Sequence, residues 1–162
     1  MRRPVADDDA GAQLARAAAR DGVSIAVAES LTGGSLASRL AQLPDAGEWF
    51  RGSVVAYAAS VKHDLLGVPD VPIVSETSAR AMAEGASSLL DADVVIAVTG
   101  EGGPEPQDDV PVGTVWMAIT DGGRTVARRR QFDGDPGDVV RATCDDAVGW
   151  LSQHVLSRAP AR

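Results

Sequence analysis

Ser30, Thr32, Gly33 and Gly34 sit where an apolar run, 23–28, breaks off and a small-residue helical pattern begins. A strand, a tight turn and a helix start, in that order, aim unpaired backbone N–H groups and the positive end of a helix dipole at whatever lies above them. A hydroxyl and an anion-stabilising pocket would then share one place. The plainer reading is a simple connection in which Thr32 caps the helix and the glycines only permit the turn. A serine hydroxyl is almost wholly protonated at neutral pH, so it needs a base before it can attack a carbonyl. The two histidines, His63 and His154, stand in no spacing that suggests a triad or a metal site, and both read as solvated or capping groups. Lysine occurs once, at Lys62, while the other basic residues are all arginine. Lysine is the basic side chain that can lose its proton when desolvated. A coding sequence rich in G and C would also favour arginine, so composition alone leaves both readings open. Tyr57, the only tyrosine, shortly precedes Lys62.

A second glycine turn, Thr99-Gly100-Glu101-Gly102-Gly103-Pro104, follows the clearest buried-strand pattern in the chain, 93–98. In open α/β sheets ligands gather beyond the carboxyl ends of parallel strands. The two turns would meet there if their strands are neighbours. Neither turn fits GxGxxG or GxxxxGK[ST], which argues against a Rossmann dehydrogenase or a P-loop ATPase.

The elements that must position these residues follow from periodicity. A helix is predicted over 9–20, closed by Gly22, with residues 1–8 as a tail. A strand at 23–28 leads into a helix at 33–43, ended by Pro44. Residues 45–51 read as a loop carrying Trp49 and Phe50, an apolar stretch that could serve an interface together with the region of Trp150. A strand at 52–57 and a short helix at 60–66, stopped by Gly67, come next. Ser75 has the character of an N-cap, and Ala79, Met82, Ala83, Ala86, Leu89 and Leu90 then mark one helical face. Strands at 112–120 and 125–132 flank Asp121-Gly122-Gly123, a hairpin signal. A last helix, 138–156, lines up Val140, Cys144, Ala147, Leu151 and Val155. Helices alternating with buried strands predict a single-domain three-layer α/β/α sandwich with a mixed, mostly parallel sheet and a late hairpin, ordered over about 10–156.

At 162 residues the chain suits one domain with a core. Its formal net charge of −8 disfavours a general affinity for nucleic acid. The single cysteine, Cys144, reads as a buried core thiol, and a thiolate metal site would need more ligands. No metal or other cofactor is expected. Met1-Arg2-Arg3-Pro4 is followed by Asp7-Asp8-Asp9 rather than an apolar stretch, and no apolar run is long enough to span a bilayer. The expectation is a soluble cytoplasmic protein, a homo-oligomer, acting on a small molecule without nucleic acid or membrane partners.

Several blocks in order then resemble one family. They are Ala28-Glu29-Ser30-x-Thr32-Gly33-Gly34, Trp49-Phe50-x-Gly52-x-Val54-Val55-x-Tyr57, Lys62, and Leu66-Gly67-Val68. Val74-Ser75-Glu76, Met82-Ala83-x-Gly85, Thr99-Gly100 with Gly103-Pro104, and Pro111-x-Gly113-Thr114-Val115 continue the series. Over about residues 10–155 the chain resembles the CinA C-terminal domain family. Members are known as nicotinamide-nucleotide amidohydrolases, which convert nicotinamide mononucleotide to nicotinate mononucleotide and ammonia in pyridine-nucleotide salvage. The resemblance implies Ser30 as nucleophile, Lys62 as its base and Tyr57 as the residue that relays a proton or fixes Lys62. It also implies an oxyanion contact at Thr32, Gly33 and Gly34, and a nucleotide side lined by Thr99, Gly100 and Gly103, with Arg141 as a phosphate partner. The larger N-terminal domain of two-domain relatives is not in this sequence, so the stand-alone form is expected.

The chain departs from the family pattern in places. Leu31 stands where many members carry cysteine and should point into the core. Ala59 replaces an asparagine, Pro136 replaces an arginine, and Glu101 brings a negative charge to the second turn. None of these alters Ser30 or Lys62, but they bear on substrate. Two rival readings follow: a nucleotide-sensing or competence- and damage-related adaptor domain without turnover, and an amidase for another small amide. Binding without ammonia release would mark the first, and ammonia release from a different amide the second.

Overall fold

Alternation along the strands decides which side chains face which layer. In the computed structural model, which describes residues 5–106 and 109–159, one five-stranded sheet has the order β2-β1-β3-β4-β5. Its strands are β1 (Ile25–Glu29), β2 (Phe50–Val55), β3 (Val94–Gly100), β4 (Thr114–Asp121) and β5 (Arg124–Gln131). β1 pairs in parallel with β2 and β3, whereas β4 runs antiparallel to both β3 and β5. Four strands therefore point one way and β4 alone opposes them, the mixed sheet that the late hairpin required. Asp121 and Arg124 close that hairpin through Gly122 at φ 57° and Gly123 at φ 82°, the left-handed pair that a two-residue loop needs to follow the strand twist.

Ile25 and Val27 of β1, Val94, Ile96 and Val98 of β3, and Val115, Met117 and Ile119 of β4 face one side. There they meet α1 (Val5–Asp21), α2 (Ser35–Ala41) and α6 (Pro136–Ser157). The opposite face is built from small residues, Ala26, Ala28, Ala97 and Ala118. α5 (Glu76–Leu90) packs there with its own Ala79, Ala83 and Ala86, and α4 (Ala59–Leu66) joins it through Leu66. Helices on both faces complete the expected three-layer sandwich. α6 opens with a capping box in which Asp135 and Asp138 each accept from the other's backbone N–H. Pro136 stands at its first turn, where proline's missing N–H costs nothing.

Three expectations need correction. α1 begins at Val5, so the helix takes in half of the stretch read as a tail; residues 1–4 lie outside the described residues. The supposed loop 45–51 contains a one-turn helix, α3 (Ala46–Trp49), before β2 starts at Phe50. Trp49 is 2% exposed, part of the core, and its Nε1 donates to the carbonyl of Pro44 at 3.1 Å. An indole that closes its own loop is not an interface residue. Cys144 is buried as read, and burial pushes its thiol up to about 11.

Gly85 marks the tightest crossing. A Cβ there would lie 2.2 Å from the carbonyl oxygen of Leu66 and 2.9 Å from its Cα. Those are backbone atoms, so α4 and α5 would have to separate. Gly85→Ala is expected to destabilise the fold by about 3 kcal/mol despite alanine's better helix propensity. Thermal unfolding by circular dichroism should show the midpoint lowered by roughly 10 °C.

Candidate active site

The carboxyl ends of β1, β2 and β3 lie side by side because all three strands run the same way. Ser30 follows β1 directly and is 7% exposed. The N–H of Ala56 donates to the carbonyl of Glu29 at 2.8 Å, a bond of the last β1–β2 pair, Glu29↔Val55, so that Ser30 and Ala56 are the first residues beyond the two paired strand ends. The carbonyl of Ala56 in turn accepts from Lys62 Nζ at 2.7 Å. Lys62 sits in the first half of α4 and folds its side chain back over the helix start, donating also to the carbonyl of Tyr57 at 3.1 Å. Lys62 is 1% exposed, and no carboxylate pairs with it among the described residues. Burial pushes its pKa below the ordinary lysine value. The chain's one lysine is thus a buried amine held by carbonyls. Among the described residues no hydrogen bond joins it to Ser30 Oγ.

Tyr57 differs from its expected place. The residue is 72% exposed, and its described link to Lys62 runs through its backbone carbonyl, not its phenol. Within one chain the phenol is therefore not set to relay a proton, though the residue does help to fix Lys62.

The expected anion pocket at Thr32, Gly33 and Gly34 is also different. Thr32 does not cap the helix: α2 starts at Ser35 after Gly34, whose φ is 104°. The cap comes from Glu29, at the end of β1. Its Oε1 accepts from Thr32 Oγ1 at 2.7 Å, Gly34 N at 3.2 Å and Leu36 N at 2.9 Å. Its Oε2 accepts from Ala37 N at 3.2 Å and Ser53 Oγ at 3.1 Å. The N–H of Gly33 is used too, donating to the carbonyl of Ser30 at 3.0 Å. Gly33 and Gly34 shape the turn but have no N–H left for a ligand. Glu29 itself was not singled out from sequence. The signal was there: a carboxylate closing an otherwise apolar strand must find donors once buried.

The second turn does meet the first, since β1 and β3 are neighbours. Leu31 Cδ1 lies 3.2 Å from the position a Cβ would take on Gly100, and Leu31 packs against the core as expected. Thr99 is wholly buried, and its hydroxyl donates to the carbonyl of Ile73 at 3.0 Å, tying the segment before α5 to the end of β3. Its hydroxyl is therefore engaged with backbone. Glu101 is 7% exposed and accepts from the N–H of Gly103 at 3.2 Å. Arg141 stands near the start of α6, at the same end of the sheet. It pairs with Asp138 and leaves 63% of its side chain exposed. The histidines play structural parts: His63 Nδ1 lies 2.7 Å from the carbonyl of Val68, and His154 pairs with Asp121 at 2.9 Å. Among the described residues no group of three His, Cys, Asp or Glu side chains could hold a metal ion, and no helix is long and apolar enough to cross a membrane.

The chain is an α/β protein, a mixed five-stranded sheet covered by helices on both faces. The chain belongs to the CinA C-terminal domain family, whose model matches residues 7–155. Among its relatives, a nicotinamide-nucleotide amidohydrolase PncC of Pseudomonas putida is 39% identical over 140 residues, covering 83% of this chain and 88% of that protein. A CinA-like protein of Geobacter metallireducens is 39% identical over 150 residues, which are 89% of this chain but 36% of that protein. The chain thus spans little more than a third of that longer relative. A CinA superfamily protein of Klebsiella pneumoniae superposes with a TM-score of 0.88 at 31% identity, covering 93% of this chain and 98% of that one. One from Escherichia coli gives 0.87 at 32% identity, covering 96% and 94%.

Proposed function

We propose that the chain is a serine–lysine amidohydrolase that deamidates nicotinamide mononucleotide. The observation that carries this reading is Lys62, buried, with no carboxylate partner among the described residues, and bonded to the carbonyl of Ala56, which follows the end of β2 that pairs with the strand end before Ser30. A neutral amine there can take the proton of Ser30 Oγ as that oxygen bonds to the carboxamide carbon. The resulting ammonium returns the proton to the amide nitrogen as the C–N bond breaks, releasing ammonia. Water then resolves the acyl-enzyme to nicotinate mononucleotide and free Ser30. Catalytic hydrogen bonds commonly run long in an unliganded site and close when substrate binds, which fits the missing Ser30–Lys62 contact. The mononucleotide as substrate is drawn from the name of the Pseudomonas putida relative, which aligns over most of both chains. Arg141 would serve the phosphate by exchanging Asp138 for it.

Purified protein incubated with nicotinamide mononucleotide is expected to release ammonia and nicotinate mononucleotide in equal amounts. Nicotinamide, nicotinamide riboside, glutamine and asparagine, run in parallel, should react far more slowly. Ammonia from one of those amides in preference to the mononucleotide would redirect the substrate assignment. Binding seen by calorimetry without ammonia release would favour a sensing domain instead.

A further inference from the structure

The proposed reaction leaves the buried carboxylate of Glu29 unused. Glu29 is wholly buried, pairs with no cation among the described residues, and accepts hydrogen bonds from Thr32 Oγ1, Gly34 N, Leu36 N, Ala37 N and Ser53 Oγ. A helix can be capped locally by serine, threonine or aspartate at far lower desolvation cost. Here the cap reaches across the segment 30–34 and draws it into a closed loop. Within that loop Gly33 N donates to Ser30 O at 3.0 Å and Ser35 N to Thr32 O at 2.9 Å. Once these bonds are made, the N–H groups of Ser30, Leu31 and Thr32 are those without an acceptor among the described residues.

We infer that Glu29 is a positioning residue for the proposed reaction: its carboxylate fills the start of α2, fixes the turn that presents Ser30, and leaves the N–H groups of Ser30, Leu31 and Thr32 to receive the oxyanion. Two physical points support this. A second anion at the start of α2 would meet both occupied donors and a like charge, so neither an oxyanion nor a phosphate settles there. Donors that stabilise a developing charge act best when held in place beforehand, and a five-bonded carboxylate holds this loop by its side chain and its backbone. The inference rests on Ser30 being the nucleophile but not on which amide is the substrate.

The test uses the full chain with Glu29→Gln, Thr32→Val and Thr32→Ser. Each is assayed for ammonia release and for the rate at which a fluorophosphonate probe labels Ser30, read by intact mass. Glu29→Gln keeps the shape and removes the charge; it should lower kcat about 100-fold with KM held within about threefold. Probe labelling should slow in parallel. Thr32→Val breaks the Thr32–Glu29 bond and should lower kcat about tenfold, while Thr32→Ser, which keeps the hydroxyl, restores it. This second pair carries the test should Glu29→Gln fail to fold. Wild-type labelling rate and kcat in Glu29→Gln or Thr32→Val would overturn the inference, as would a loss confined to KM. Labelling that slows as expected in a protein releasing no ammonia from the mononucleotide would overturn only the substrate assignment. A wild-type protein that the probe does not label would overturn both.

Discussion

Replacing Lys62 by Met is expected to lower ammonia release from nicotinamide mononucleotide about 10³-fold while the chain stays folded. The argument runs from burial to charge to rate. Lys62 is 1% exposed, and the desolvation of its ammonium lowers its pKa. The neutral amine, the form able to accept a proton, is therefore populated at lower pH than for an ordinary lysine. Methionine fills similar space without the amine. It removes the donors of the Ala56 and Tyr57 carbonyls but also removes a buried charge that no carboxylate among the described residues pairs with. These effects oppose each other, so stability should change little while turnover collapses.

The same shift sets the pH dependence. For the wild type, kcat/KM should rise with pH through the lowered pKa of Lys62 and level off before the ordinary lysine value is reached. Stability follows the proton count. Between the folded pKa and the higher unfolded value the unfolded chain binds more protons, so stability climbs with pH across that window, and below it the charged amine stays a burden. Lys62→Met should lose both the activity limb and this share of the stability climb. Ammonia release and thermal unfolding measured across a pH series check the two together. A Met variant that keeps wild-type turnover would remove Lys62 from the mechanism.

The alternation of apolar residues made much of the fold legible in the sequence. The β-branched runs gave buried strands, and Asp121-Gly122-Gly123 gave the hairpin because few residues tolerate two successive left-handed conformations. Ser75 was readable as a cap, and its side chain accepts from Ser78 N at 3.2 Å. The lone lysine and the two glycine turns pointed to the right end of the sheet, since ligands collect where parallel strands finish. Other features were not local. Trp49 looked like an exposed aromatic until the core closed over it, and its indole then found the carbonyl of Pro44. Strand order and the meeting of Leu31 with Gly100 depend on tertiary pairing that no spacing encodes. The largest miss was Glu29. Local capping rules look one to three residues ahead, so they pick Thr32 and cannot see a side chain reaching from the strand to the backbone of Leu36 and Ala37. Tyr57 was read by residue type, yet its described contact with Lys62 is its carbonyl, which any residue could supply.

Ser30 carries the central claim. It is nearly buried at the end of β1, its turn is held by Glu29, and the buried amine of Lys62 is bonded at the neighbouring end of β2. Ser30→Ala removes a single oxygen and makes no clash, so the variant should fold as the wild type does. Without that oxygen no acyl-enzyme forms, and the residual rate should be on the order of 10³-fold lower or less. Adding Lys62→Met should cost little more, because two residues that act as one unit do not lose independently. The decisive measurement is ammonia release from nicotinamide mononucleotide by wild type and Ser30→Ala, side by side at equal concentration. Steady release by the wild type with loss to near background in Ser30→Ala is the predicted result; full release by Ser30→Ala would contradict it.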